Sequence, residues 1–330
     1  MGRMAPAPVR TEARAVAVTA DQLAGITFRA GEERDLPECN RIWREGIDAY
    51  LLPMGFPPLP EDNPSLRRLH AHTMATDPSR FVVAERRGRA GRRRVVAFGS
   101  AVERGPLWFL SMLFVEPGEQ ARGVGRGLLA QILPAPLDSR VLATCTDSAQ
   151  PVSNGLYASF GIVPRMPLFN LIGRPRSGFD WPALPNGVVV QRVTEYEAWR
   201  DDPQVRALDR SILGFDHPED HAFVLNEPRR AFAYRAPDGG LTAYGYAGDV
   251  GRVGPIAVTD PALLGPVLGH LLAAVEPRGA SSVWLPGDAG EAIRVAIRAG
   301  LRIEGFPILA GWSRPFADFT RYVPTSPGLI

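Results

Sequence analysis

Leu113-Phe-Val-Glu-Pro-Gly-Glu-Gln-Ala-Arg-Gly-Val-Gly-Arg-Gly-Leu-Leu129 runs from an apolar strand through a glycine-rich turn into an amphipathic helix. Gly123, Gly125 and Gly127 crowd the helix start, where the first four backbone amides have no partner within the helix and the positive end of the helix dipole lies. Glycine there lets a ligand approach the backbone closely, and Arg122 and Arg126 add fixed positive charge. The chemistry points to a pyrophosphate seated on those amides. Three other readings of the glycines compete. A dinucleotide fold needs GxGxxG in its first strand-helix unit and an acid about 20 residues on; here the turn reads GVGRG after four strands, with no acid closing the next strand. A P-loop needs a lysine, and the chain has none. Glycines placed only for helix packing would pay for it in helix propensity.

Working outward, strands are expected at 26–30, 81–85, 95–102, 107–115, 140–145 and 161–173, with helices at 35–50, 65–76, from the glycine turn to 133 and before Gly161. Between the first two helices, LLPMGFPPLPEDNP is too rich in proline for regular helix, yet Leu51, Leu52, Met54, Phe56 and Leu59 are apolar, as in a loop that covers something. Residues 174–186, RPRSGFDWPALPN, have linker composition. The order of the first half then recurs: Gly187-VVVQRV answers Gly25-ITFRA, Val258 answers Val115, and Gly300 answers Gly161. Helices are expected at 195–208, 218–225, 266–275 and 289–299. The division that follows is a loosely held leader over 1–25, one α/β unit over 26–173, a linker over 174–186 and a second unit over 187–330.

Gln120-Ala-Arg-Gly123-Val-Gly125, preceded by the turn Val115-Glu-Pro117, resembles the Q/R-x-x-G-x-G/A motif of the GNAT superfamily of N-acetyltransferases. The resemblance implies a mixed α/β fold with two such units in tandem and acetyl-CoA as cosubstrate. It places the pyrophosphate on the turn formed by Gln120, Ala121, Arg122, Gly123, Val124, Gly125 and Arg126, and the pantetheine arm along Leu113, Phe114 and Val115. Asn154-Gly-Leu-Tyr157-Ala-Ser-Phe-Gly161 is similar to the family's second signature, which makes Tyr157 the general acid that protonates the departing thiolate. The residue seven positions before the tyrosine is Gln150, so Asn154 inherits the pantetheine contact. Relatives often carry a Glu in the strand before the motif; Phe109, Ser111 and Met112 stand there instead. The base is left open among Asp147, Ser148, Glu103, a water chain and the carboxylate of Ile330.

In the second unit Gly123 corresponds to Pro266, Gly125 to Leu268 and Tyr157 to Ala296. Without amide, close approach or phenol, that copy is expected to be inactive.

Composition narrows the rest. The chain has 330 residues, 45% of them hydrophobic, and a net charge of +2, too small for a nucleic-acid footprint. All 37 basic residues are arginine, which excludes lysine-based covalent catalysis. Cys39 and Cys145 are the only cysteines, too few for a disulfide framework or zinc cluster. No apolar run is long enough to span a bilayer and no signal peptide opens the sequence, so a cytoplasmic protein is expected. The arginine run 85–94 is expected to be a solvated hairpin tip. His217 and His221 are expected at an exposed helix start, His70 and His72 on different faces of one helix, and Cys145 in packing. No metal is expected. The functional expectation is an N-acetyltransferase acting on a primary amine of a small molecule, with a peptide or protein acceptor also open, as monomer or homodimer, without nucleic-acid or membrane partner. The alternative is a non-catalytic CoA sensor or scaffold on the same fold.

Overall fold

The computed structural model describes residues 23–88 and 91–330; most of the expected leader lies outside the described residues. In the first half the strands are β1 (Ile26–Ala30), β2 (Phe81–Arg87), β3 (Arg93–Arg104), β4 (Leu107–Val115), β5 (Val141–Asp147) and β6 (Val163–Gly173). The helices are α1 (Leu36–Leu51), α2 (Pro64–Thr76), α3 (Val124–Ile132) and α4 (Pro151–Ala158). The second half follows with β7 (Val189–Arg192), α5 (Tyr196–Arg200), α6 (Pro203–Leu213), α7 (Pro218–Asn226), β8 (Arg229–Arg235), β9 (Leu241–Gly248) and β10 (Arg252–Val258). It closes with α8 (Leu264–Ala274), β11 (Ser281–Pro286), α9 (Gly290–Ala299), β12 (Arg302–Ile303), β13 (Ile308–Trp312) and β14 (Tyr322–Val323).

Local chemistry sets the helix ends. Asn63 accepts the Leu66 amide ahead of Pro64, and Asp202 accepts the Gln204 amide ahead of Pro203. That cap and proline divide the single helix expected at 195–208 into α5 and α6, because Pro203 has no amide to continue the ladder. α3 begins at Val124, among the glycines expected at the helix start, after a 3-10 turn at Pro117–Glu119.

All the strands join one sheet, ordered β1-β2-β3-β4-β5-β13-β6-β11-β10-β9-β8-β7. Its pairings are antiparallel except β4 with β5 and β10 with β11, so the sheet reads the same from either end. The halves exchange strands at its centre. β13 of the second half lies between β5 and β6, from Ala143↔Trp312 to Asp147↔Ile308, while β6 of the first half pairs with β11. The expected linker carries no helix or strand but is packed: Trp181 closes on Gly269 of α8, and Phe179 and Trp181 join the core there.

On one face of the sheet, α1, α2, α6, α7 and the C-terminal segment share a single core that includes Ile42, Leu69, Phe98, Leu208, Tyr244 and Leu329. On the other face, α3 and α4 cover one core and α8 and α9 another. Among the described residues no helix is long and apolar enough to cross a membrane.

Candidate active site

β4 and β5 lie parallel and pair from Leu107↔Val141 to Leu110↔Thr144. Both strands continue, β4 to Val115 and β5 to Asp147, but the pairing between them stops. β4 keeps its other neighbour, with Leu113↔Gly99 and Val115↔Ala97, and β5 follows β13. A wedge-shaped opening in the sheet results, with Met112–Val115 presenting backbone polar groups on one side. Such groups need partners, and an extended ligand arm supplies them.

The opening ends at the glycine turn. Gly123 is the residue before α3 and sits at φ 78°, where a Cβ would be strained, and no side chain caps the helix's first turn. Ala121 adopts φ 61° despite its Cβ, at a cost of about 1–2 kcal/mol. Two left-handed positions two residues apart thus shape the turn into a nest-like arrangement suited to an anion. A Cβ on Gly125 would lie 3.4 Å from Val115 Cγ2, so a larger side chain there fills the end of the opening. Gly127 differs: its Cβ would come within 2.9 Å of Phe28 Cζ. Of the three glycines, Gly127 serves helix packing, which corrects the expectation that all three serve the ligand.

The side chains of the turn divide in the same way. Gln120 donates to the Val115 carbonyl at 3.0 Å and braces the turn. Arg122 is exposed, 3.4 Å from Glu119. Arg126 donates to Ser159 Oγ at 3.1 Å and lies 5.3 Å over the Phe160 ring, tying α3 to α4. Glu116 and Glu119 would repel a phosphate, but arginines hold both. Glu116 pairs with Arg94 at 2.5 Å and Arg41 at 3.1 Å; burial pushes its pKa up, and these partners outweigh that to leave it below the usual range. Glu119 pairs with Arg86 at 2.5 Å. The described part of the 85–94 run is therefore partly absorbed in ion pairs beneath the turn and is not a wholly solvated tip. The sequence could have signalled this only through the two acids of the motif, which require counter-charges.

The two faces of the opening carry different chemistry. Tyr157 belongs to the core of α3 and α4, with Leu110, Leu142, Phe160 and Ile162. Burial raises its phenol further above its ordinary value, partly offset by Ser153, so it is a neutral donor at physiological pH. Asn154 donates to the carbonyls of Asp147 and Gln150, both at 2.9 Å, closing the turn into α4, and its buried Oδ1 has no partner. On the opposite face, Asp147 follows Ala143 and Cys145 and accepts a short hydrogen bond from the Tyr50 hydroxyl of α1. Burial raises the Asp147 carboxyl above its ordinary value, an effect the Tyr50 bond only partly offsets. Tyr50 carried no motif and was invisible to spacing arguments.

Of the other base candidates, one lies at the far end of β4, whereas Gly328, two residues before Ile330, packs against Ser111 and Met112 of β4. Glu103 stands opposite Trp108 at the far end of β4 and is ion-paired to Arg80 and Arg140. Ser148 donates its amide to the Pro307 carbonyl. Ser111 donates to the Gly328 carbonyl at 2.6 Å, and Ile330 is buried in the shared core. Cys145 is packed, its thiol pushed up to about 12 by burial.

The second half repeats the parallel pair but closes the opening. β10 pairs with β11 only at Arg252↔Ser282 and Val253↔Val283, and beyond that β14 takes β10, at Ile256↔Val323 and Ala257↔Tyr322. Asp260 accepts the Ala262 amide in the 3-10 turn before α8, and Leu268 and Ala296 are fully buried.

His217 and His221 contradict the expected exposed helix start: both are buried, beside the equally buried Asp209 of α6. Hydrophobic packing of α6 against α7 brings Asp209 there, which a 217–221 spacing alone could not show. His70 and His72 do diverge. His70 packs between Phe81 and Phe98, its pKa lowered to about 3 by burial, whereas His72 pairs with Asp220 at 2.7 Å.

A mixed sheet that splays after a parallel pair, with a glycine turn at the mouth and helices on both faces, defines the fold of the acyl-CoA N-acyltransferases. Residues 45–162 match the model of the acetyltransferase (GNAT) family. Acyl transfer is the reaction class that this family and fold support. A protein of Pyrococcus horikoshii described as an acetyltransferase is 14% identical and superposes over 92% of this chain and 96% of its own, with a TM-score of 0.69. A GCN5-related N-acetyltransferase from Sphaerobacter thermophilus is 15% identical over 90% and 98%, with a TM-score of 0.57. A tandem GNAT protein from the clavulanic acid biosynthesis pathway is 16% identical over 88% and 99%, with a TM-score of 0.50. At such identities the likeness carries the fold alone. No curated protein matches the sequence.

Proposed function

We propose that the protein is an N-acetyltransferase in which the first half binds acetyl-CoA and a primary amine attacks the thioester directly in a ternary complex. The observation that supports this reading is the opening between β4 and β5 that ends at the glycine turn, with Tyr157 in the core on one face of the sheet and Asp147 bonded to Tyr50 of α1 on the other. The turn's amides, with Arg122, hold the pyrophosphate. Leu113, Phe114 and Val115 pair with the pantetheine arm, and the free Oδ1 of Asn154 accepts from one of its amides. Asp147, its carboxylate steadied by Tyr50, takes the proton of the attacking amine. Tyr157 gives its proton to the thiolate, so one proton enters and one leaves per turnover.

The acceptor enters from the α1 face. There the proline-rich loop meets the second half: Phe56 packs edge-on to Phe306 at 5.8 Å, and Leu52 and Met54 are exposed nearby in sequence. This favours a small, partly apolar amine over a protein acceptor and gives the second half a substrate-shaping role without a cofactor of its own. We place the protein in the cytoplasm, as monomer or homodimer. A CoA sensor on the same fold would need neither the Asp147 carboxylic acid nor the Tyr157 phenol. Calorimetry with acetyl-CoA tests the first step, and thiol release across an amine library tests the second. Release that depends on the amine supports the enzyme; binding without release from any amine supports the sensor.

A further inference from the structure

Far from the opening, α6 and α7 enclose a polar cluster that the proposed reaction does not use. Asp209 is fully buried, and His217 and His221 are almost so. The ligand atoms of the three converge, with His221 Nε2 3.0 Å and His217 Nε2 3.7 Å from Asp209 Oδ2. Donor atoms on a tetrahedral ion with bonds of about 2.0–2.1 Å sit roughly 3.3 Å apart, so these spacings bracket the value a zinc ion would impose.

The outward atoms of Asp209 and His221 are held by further partners, and that of His217 faces a carboxylate. Tyr244 donates to Asp209 Oδ1 at 2.6 Å. His221 Nδ1 meets the Tyr246 hydroxyl at 2.6 Å, and that oxygen also accepts from Trp199 Nε1 at 2.8 Å, leaving it free to accept from an Nδ1–H. His217 Nδ1 faces Asp220 Oδ2 at 3.5 Å, and Arg104 fixes that carboxylate with two bonds of 2.8 Å. Both histidines can therefore carry their proton on Nδ1 and present a bare Nε2 inward, the arrangement in which carboxylates and hydroxyls orient metal-binding imidazoles.

Two facts are left over without an ion. Among the described residues neither ring nitrogen of His217 has a hydrogen-bond partner, although the ring is buried, and the buried Tyr322 hydroxyl has none there either. Asp209 also has no arginine among its ion pairs; Arg104 is taken by Asp220 and Asp77.

We propose that Asp209, His217 and His221 form a structural zinc site that fastens α6 and α7 beneath β9. The ion satisfies the His217 ring and neutralises the Asp209 carboxylate. Tyr322, contributed by the strand that closes the second opening, is the protein's own candidate for a fourth ligand, with its ring centroid 6.4 Å from that of His217. The donor set of two imidazoles and a carboxylate suits zinc better than magnesium or calcium, which prefer oxygen alone.

The test is the metal content of the full chain, produced without a histidine tag in zinc-supplemented medium and dialysed. About one zinc per chain is expected. After chelator treatment, cobalt(II) should restore one equivalent and give the visible bands of four-coordinate cobalt, displaced by added zinc. His217→Gln should lower zinc affinity at least tenfold with the circular dichroism of the folded protein kept. A wild-type chain that is zinc-free as purified and takes up neither cobalt nor zinc would overturn the site, because the His217 ring would then be held by the two carboxylates as a buried cation. Full stoichiometry in a folded His217→Gln variant would do the same. The wild-type cobalt spectrum decides the matter even if the variant does not fold.

Discussion

Replacing Tyr157 with Phe removes one oxygen and leaves the ring among Leu110, Leu142, Phe160 and Ile162, so no cavity opens. The structural cost is the loss of one buried hydrogen bond, about 1 kcal/mol, or about 2 °C in Tm for a chain of this size. Binding of acetyl-CoA should change little, because the contacts proposed for the pyrophosphate are made by the glycine turn and not by the phenol. The chemical cost is far larger. Without an acid the thiolate leaves unprotonated, and general-acid catalysis is worth roughly 10²–10⁴-fold, equivalent to about 2.7–5.5 kcal/mol at the barrier. The expected signature is kcat down by at least 100-fold with the calorimetric Kd for acetyl-CoA within about threefold of wild type. Because burial raises the phenol above its ordinary value, the wild-type rate should not fall on the alkaline side below about pH 10 on its account. Thiol detection under saturating amine measures both. A variant that keeps wild-type turnover would refute the assignment of the acid, and one that loses acetyl-CoA binding together with kcat would show that Tyr157 shapes the site and does not act in the reaction.

Other substitutions separate the remaining roles. Asp147→Asn should cut kcat/KM by about 100-fold or more and abolish an acid limb that lies above the ordinary carboxylate range. Its stability has the opposite sign. A carboxyl raised in the folded state contributes stability below its unfolded pKa and loses that contribution as pH rises through the folded value, so by differential scanning calorimetry the variant should gain on wild type as pH rises from the ordinary carboxylate range through the folded value. Gly125→Trp should abolish acetyl-CoA binding in a folded protein, whereas Gly127→Val should cost about 1–3 kcal/mol of stability against Phe28 and leave the Kd nearly unchanged. Equal affinities for the Gly125→Trp variant and wild type would remove the turn from the site. Removing Arg41 and Arg94 together leaves Glu116 without its counter-charges and should weaken acetyl-CoA binding about tenfold at low salt, less at high salt. A salt-independent loss would point to damage in folding.

The glycine turn, the strand before it and the helix ending at Gly161 were legible because each rests on local chemistry: a left-handed glycine, alternating apolar residues, a C-terminal cap. The repeat was legible too, since Val258 and Gly300 stand where Val115 and Gly161 predict. Spacing could not show which glycine faces ligand and which faces Phe28, because that depends on β1, nearly a hundred residues earlier in the chain. Nor could it pair Tyr50 with Asp147, or set Asp209 beside His217, because each contact is made by packing between helices or between helix and sheet. The insertion of β13 beside β5 was equally hidden: a strand of five residues declares its faces but not its neighbours.

The exchange of β6 and β13 has a consequence during synthesis. When Gly173 leaves the ribosome, the facing edges of β5 and β6 have no partner, and the strand that joins them is still about 140 residues away. At about 5–20 residues per second that interval lasts on the order of ten seconds, long against hairpin formation. Nascent chains of this protein therefore pass through a stage with two open, apolar sheet edges, and slowing translation over residues 190–310 should raise the fraction lost to aggregation.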